Sequence, residues 1–371
     1  MNTNQTINEV TRTSRAKLMA GGLAALALAT TLTACGAGNE SGSSGGLSGT
    51  LNGAGSSAQT AAMDAWRKDF QTDNPSATIN YDPSGSGAGV EAFLQKAVVF
   101  AGSDSALDPD SDEVDKAKQR CGSDPIEVPN YISPIAVVFN VEGVEELNLD
   151  SPTLAKIFEG QITKWNDPAI AATNPGVALP DGPVRPVHRS DESGTTKNFT
   201  DYLEKASEGA WTNEADKVWP ATLKGEAAAQ TSGMVATVKQ TAGSIGYADL
   251  SATQGMTTVK IKVGAEFVAP SADGAAKALA ASKTDDSRGE TDLVVDLDRA
   301  TSAAGAYPLA LVSYLIGCQS SDDEQAEVAK EFFTYVLSDE GQESAAKSAG
   351  SAPLPTELRE QAARIVAGMS S

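Results

Sequence analysis

Histidine and cysteine are nearly missing from this chain: one His, His188, and three Cys among 371 residues. So few thiols and imidazoles argue against a metal centre, which needs several such ligands close together. Positive charge is also short, with 28 Lys and Arg against 49 Asp and Glu and a formal net charge of −21. Such a chain is poorly suited to nucleic acid and to anionic lipid surfaces. An acidic protein that binds an anion must therefore do so through a local cluster of donors. Aromatic residues make up only 5%, and the four Trp read as packing residues rather than stacking platforms. No segment repeats. No nucleotide loop is present either: Ser84–Gly89 has alternate glycines, not GxGxxG, and GxxxxGK[ST] does not occur. Beyond residue 34 no apolar run is long enough to span a bilayer.

What is present begins with an address. Arg12, Arg15 and Lys17 flank the apolar stretch Leu18–Ala34, which reads as a signal peptide over residues 1–34 rather than a spanning helix. The closing residues Leu32-Thr33-Ala34-Cys35 resemble the lipobox of bacterial lipoproteins. That resemblance implies cleavage before Cys35 and a lipid on its sulfur. Residues 35–46 form a Gly/Ser tether that would let a folded body stand off the membrane. Two cysteines remain, Cys121 and Cys318, and an even pair in an exported chain favours a disulfide between them.

The length suggests two domains. Short β-rich runs alternate with helical periods: a helix over about 58–70, a strand at 77–81, a turn at Pro83, a helix over about 87–97 and a buried strand ending at Asp104. Such alternation predicts an α/β fold with a parallel-rich sheet. Two long apolar runs, Ile132–Val141 and Tyr307–Ile316, suit crossover strands between domains. The expected division is 47–136 plus 308–371 for the first domain and 137–307 for the second. Helices over about 322–337 and 339–348 would return to the first. The Ala-, Asp- and Ser-rich stretch 272–304 supports no assignment.

The most informative stretch is Arg189-Ser190-Asp191-Glu192-Ser193-Gly194-Thr195, followed at once by a helical segment, Thr195–Lys205. A helix start has unpaired N–H donors and partial positive charge, and Arg adds a planar fork that grips two oxygens of a tetrahedral anion. The plainer alternative is that Ser193 caps the helix and Arg189 pairs with Asp191. Two further Gly/Ser turns, Gly53–Ser57 and Ser84–Gly89, also stand before helices. Each alone is weak evidence, but three of them with a strand ending at Asp104 form a rare pattern.

The segments LNGAGSSA (51–58), SGSGAGV (84–90), FAGSDSAL (100–107), ITKWNDPAIAATNPG (162–176), HRSDESGT (188–195) and GSIGYAD (243–249) occur in this order. Together they resemble the PstS family, the phosphate-binding lipoproteins of bacterial phosphate ABC transporters, over essentially the whole mature chain. The resemblance implies a two-domain periplasmic-binding-protein fold of type II, with two crossover strands at the hinge. It implies capture of inorganic phosphate in the interdomain cleft and delivery to an ABC permease and its ATPase, without catalysis or a cofactor. It further implies a monomer held on the extracytoplasmic face of the cell membrane through Cys35.

By the same resemblance Ser57 offers its hydroxyl and N–H, Ala58 its N–H, and Ser86 a second hydroxyl. Asp104 accepts a hydrogen bond, Arg189 supplies the charged fork with Asp191 holding it, and Ser193, Gly194 and Thr195 donate from the third turn. Three residues depart from the family pattern. Ala58 stands where Phe is common, Glu192 where Gly is common, and His188 where Arg is frequent. Glu192 is expected to face solvent and His188 to be a neighbour of the site. Other readings are a phosphoesterase with Ser57 or Ser193 as nucleophile, a binder of another oxyanion, and a phosphate sensor or adhesin uncoupled from transport. The esterase lacks a positioned base, since His188 stands alone.

Overall fold

The computed structural model describes residues 47–320 and 325–370. The signal peptide, the tether and Cys35 lie outside the described residues, as do 322–324 at the start of one expected helix. The described chain opens with β1 (Gly49–Gly55), α1 (Thr60–Asp73), β2 (Ala77–Asp82), α2 (Ser86–Leu94) and β3 (Phe100–Ser103). In α1, Ala62, Met63, Trp66 and Phe70 recur at helical spacing and form its buried face. β1 lies between β2 and β3 and runs parallel to both, as strands joined through helices must. α3 (Glu113–Cys121) then leads into β4 (Pro125–Asn140), which is buried at every position except its last residue.

The middle of the chain supplies β5 (Leu147–Leu149), α4 (Ser151–Phe158), α5 (Pro168–Thr173), β6 (Arg185–Arg189), α6 (Gly194–Ala206), β7 (Glu226–Ala228), α7 (Gln230–Gln240) and β8 (Ser244–Asp249). It continues with β9 (Thr257–Val263), β10 (Glu266–Val268) and α8 (Ala272–Ala280). α4 and α5 start where Asp150 and Asp167 each accept a backbone N–H at 2.9 Å, with a proline in the first turn. The stretch without assignable pattern holds α8 and a ribbon of β11 (Lys283–Thr284) and β12 (Val295–Asp296). Strands of two residues show no periodicity, which is why the sequence did not reveal them. The chain closes with β13 (Ala310–Cys318), α9 (Ala326–Val336), α10 (Asp339–Ala349) and α11 (Thr356–Ala367).

The strands follow the order β2-β1-β3-β13-β4-β8-β6-β7. β4 changes partner along its length. Pro125–Pro134 pairs antiparallel with β13, and Ile135–Asn140 pairs antiparallel with β8. The sheet is therefore mixed: parallel in each α/β half and antiparallel where the long strands lie side by side. Two aromatic groups mark the two halves. Phe70, Phe100, Phe332 and Phe333 pack edge-on or tilted in the first, and Phe158, Phe199, Trp219 and Tyr247 pack edge-on or stacked in the second. Fully burying one such ring is worth roughly 1.5–3 kcal/mol, so these clusters anchor the fold.

Cys121 and Cys318 are bonded, joining the end of α3 to the end of β13 across a sequence separation of 197. A cross-link over so long a loop restricts the unfolded chain strongly. Replacing both cysteines by Ser is expected to lower unfolding stability by about 2–5 kcal/mol. Urea unfolding of the parent and double variant tests this; an unchanged midpoint would mean that the bond contributes nothing.

Candidate functional site

The three Gly/Ser turns and the end of β3 meet at the boundary between the two α/β halves. Asp104, one residue beyond β3, is 2% exposed. Its Oδ2 accepts from Thr195 Oγ1 at 3.0 Å, its Oδ1 from Ser313 Oγ at 2.6 Å, and its own N–H donates to Ser86 Oγ at 3.2 Å. Burial pushes the Asp104 carboxyl up, while bonds from Ser313, Ser56 and Thr195 and the charge of Arg189 pull it part of the way back. The site thus holds a carboxylate supported by hydroxyls rather than by a direct counter-ion.

Arg189 ends β6 and is 3% exposed. Its Nε donates to Asp191 Oδ1 at 2.8 Å and Nη2 pairs with Asp191 Oδ2, so Nη1 takes no part in that fork. Gln230 N–H fixes the same carboxylate at 2.9 Å. Burial raises the Asp191 carboxyl, but Arg189 and the Gln230 N–H outweigh it and leave the group below its ordinary value. Asp191 thereby fixes the plane of the guanidinium.

Ser193 caps α6 through a bond from Thr196 N–H at 3.2 Å. Both plain expectations, the cap and the Arg189–Asp191 pair, therefore hold. The N–H groups of Gly194 and Thr195 stand in the first turn of α6, where no helix carbonyl reaches them. Gly194 permits a close approach, since a Cβ there would sit 2.8 Å from Asp104 Cβ. Gly85, at φ +108°, adopts a conformation that side chains disfavour, and a Cβ there would lie 2.6 Å from Asp191 Oδ2. The second turn thus presses on the third. Gly87 N–H donates to Glu192 O at 3.1 Å, while the Glu192 side chain is exposed, as expected.

The first turn is engaged differently from the donor roles expected of it. Ser57 Oγ lies 2.9 Å from Thr231 Oγ1 and accepts from Thr231 N–H at 3.0 Å. Ala58 N–H is donated to Ser56 Oγ at 3.1 Å. Ser57 therefore meets the first turn of α7 rather than Asp104 or Arg189. His188 stacks on Trp219 at 5.0 Å and sits beside the site. All four tryptophans, Trp66, Trp165, Trp211 and Trp219, are buried in the core.

Two walls thus meet here, one with a buried acceptor and one with a guanidinium beside a helix start. A family profile of the PBP superfamily domain matches residues 40–340. Phosphate-binding protein PstS2 of Mycobacterium bovis (strain BCG / Pasteur 1173P2) is 37% identical over 319 residues, covering 84% of this chain and 85% of that protein. The chain belongs to the PstS family. A further relative, phosphate-binding protein PstS 3 of Mycobacterium leprae, is 40% identical over 308 residues, covering 81% of this chain and 82% of its own. Among solved structures, a high affinity periplasmic phosphate-binding protein matches with a TM-score of 0.67 at 21% identity, over 87% of this chain and 99% of that one. The ancestral soluble variant of the human phosphate binding protein matches with a TM-score of 0.69 at 18% identity, over 87% and 99%. Identities this low speak to the fold alone, which is the two-domain α/β fold of periplasmic binding proteins.

Against this PstS-family background, several contacts at the site carried no sequence signal. Ser56 and Ser313 support Asp104. Tyr247 OH receives Arg189 N–H at 3.3 Å and lies 2.8 Å from Thr196 Oγ1, tying β6 to the first turn of α6. Burial pushes the Tyr247 phenol up to about 12, so it stays a neutral hydrogen-bonding group. GSIGYAD marks the segment that holds Tyr247, but the reach of its hydroxyl depends on β8 lying beside β6.

Proposed function

We propose that this protein captures inorganic phosphate between its two domains and hands it to an ABC permease for import. The observation that carries the reading is the meeting of Asp104 with the first turn of α6, beside the Arg189–Asp191 fork. Phosphate keeps at least one proton at neutral pH, so its O–H can donate a hydrogen bond to a carboxylate; sulfate keeps none and would meet the same carboxylate with a lone pair. Ser57, Ala58, Ser86, Arg189, Ser193, Gly194 and Thr195 would supply the donors, with Ser57 and Ala58 released from their present partners by the ligand.

The proposed division is 47–136 plus 308–371 and 137–307. It is supported by the change of β4 partner between Pro134 and Ile135. Closure would be a hinge motion at the two crossovers. Segment 283–297, counted with the second domain, leans on the first: Leu293 N–H donates to Glu127 O at 2.8 Å, and Arg288 pairs with buried Glu127 at 3.0 Å. It would act as an added strap. The reading is of a binding protein and not an enzyme, since His188 is stacked on Trp219 rather than presented to a serine as a base. Attachment through a lipid on Cys35 and a monomeric state complete it.

Titration calorimetry with phosphate, arsenate, sulfate and molybdate tests the function. Phosphate is expected to bind and sulfate to be rejected; binding of sulfate or molybdate in preference to phosphate would overturn the reading. Dense neutral donors, rather than net charge, would hold the ion. Phosphate affinity is therefore expected to change little between low and moderate salt, by about threefold or less. A steep fall would mean that long-range charge dominates.

A further inference from the structure

We infer that Ser313, outside the ligand-donating turns, is a specificity-determining positioning residue: its hydroxyl holds the Asp104 carboxylate in the orientation and acceptor state that read the proton of the ligand. The inference rests on the phosphate reading above. Ser313 lies in the apolar run Tyr307–Ile316 and is fully buried. A buried hydroxyl in such a strand is costly unless it has a partner. Its partner is Asp104 Oδ1, at 2.6 Å.

The sheet register explains the contact. β13 runs antiparallel to β3 with Tyr314 opposite Ser103 and Leu315 opposite Gly102. One step further places Ser313 opposite Asp104, and residues opposite one another in antiparallel strands point to the same face. On its other edge β13 slips by one residue against β4 at the same point, between Ser313 and Tyr314. Irregularities of this kind re-aim side chains and recur next to functional sites.

Three hydroxyls reach Asp104, and they differ in origin: Ser56 and Ser313 belong to the same α/β half as Asp104. Thr195 comes from α6, in the other α/β half. Ser313 comes from the strand beside β3, so its bond to Asp104 does not depend on how the halves are disposed. In an open cleft Ser313 would still orient the carboxylate and favour its ionised form. That form accepts a hydrogen bond from the phosphate O–H, whereas a protonated Asp104 would donate to sulfate instead. Ser313 thus acts on selectivity through Asp104, without touching the ligand itself.

Asp104 also faces Arg189 from β6, Asp249 from β8 and Tyr81 from β2. Lys197, Arg299 and Asp201 line with it a cavity of about 240 Å³. Asp249 is pushed up to about 6 by burial, so it titrates in the range of interest. Loss of the Ser313 bond would let burial raise Asp104 further, so that protonation sets in at higher pH.

The test measures phosphate and sulfate affinity across about pH 5–8 for the parent, Ser313→Ala, Asp104→Asn and the double variant. Ser313→Ala is expected to lower the phosphate-to-sulfate affinity ratio by roughly tenfold and to move its fall with acidification to higher pH. In the Asp104→Asn background the same change is expected to alter the ratio by less than about twofold. Asp249→Asn, measured in parallel, is expected to keep the Ser313 effect. Should Ser313→Ala fail to fold, Ser313→Cys keeps the shape with a weaker donor and is expected to show a smaller shift in the same direction. An unchanged ratio and pH profile in a phosphate-binding Ser313 variant would overturn the inference, as would an equal loss in the Asp104→Asn background. A parent that does not bind phosphate would overturn the functional reading itself.

Discussion

Asp104→Asn is expected to raise sulfate affinity by about a hundredfold or more while lowering phosphate affinity by about tenfold. The asymmetry follows from hydrogen-bond roles. The Asp104 carboxylate is buried, already accepts from Ser313 and Thr195, and offers its remaining lone pairs only to a donor. A fully ionised oxyanion brings no donor, and a buried charge left facing a lone pair costs several kcal/mol. The Asn amide can turn its NH₂ toward an unprotonated oxygen and remove that penalty. Phosphate can satisfy either group, so its loss is smaller. In the parent, the raised Asp104 carboxyl sets the direction of the pH effect: sulfate rejection is complete when the group is ionised and weakens as pH falls through its value. Calorimetry with both ions at several pH values checks this, and a variant that rejects sulfate as strongly as the parent would defeat the proton-reading account.

Arg189→Ala is expected to weaken phosphate binding by about a hundredfold to several thousandfold. Truncating one member of a buried, hydrogen-bonded charge pair costs about 2–5 kcal/mol or more, and about 1.4 kcal/mol corresponds to a factor of ten. The variant loses the guanidinium and also leaves Asp191, otherwise held by Arg189 and Gln230 N–H, as an unbalanced carboxylate beside the anion. Arg189→Lys keeps the charge without the planar fork and is expected to fall between parent and Ala variant. Equal affinities for Arg189→Lys and the parent would show that charge alone matters and that the fork held by Asp191 does not.

Much of the site was legible in the sequence because its chemistry is local. Ser193 caps α6 through a residue three positions away, and Arg189 finds Asp191 two positions away. Spacings of that kind depend only on the backbone geometry of a turn or helix start. The long strands were legible as apolar runs, although β4 begins seven residues earlier than the run Ile132–Val141 suggested. Its first half, PIEVPNY, mixes polar and apolar residues that are all buried because they lie between β13 and the layers around it. α11 and the β11–β12 ribbon carried no usable signal: the helix follows a short irregular segment, and the ribbon strands are too short for a period.

The sequence by itself determined which donors the protein owns and which turns present them, since glycine-rich turns and helix caps are decided within a few residues. It also marked Cys121 and Cys318 as a pair by simple scarcity. Only the tertiary structure decided what surrounds those donors. Ser313 reaches Asp104 across 209 positions and Ser57 meets Thr231 across 174. Neither contact has a local cause. Each follows from which strand or turn is laid beside which, and that order is set by the burial of two cores along β4, not by any motif at the residues that meet.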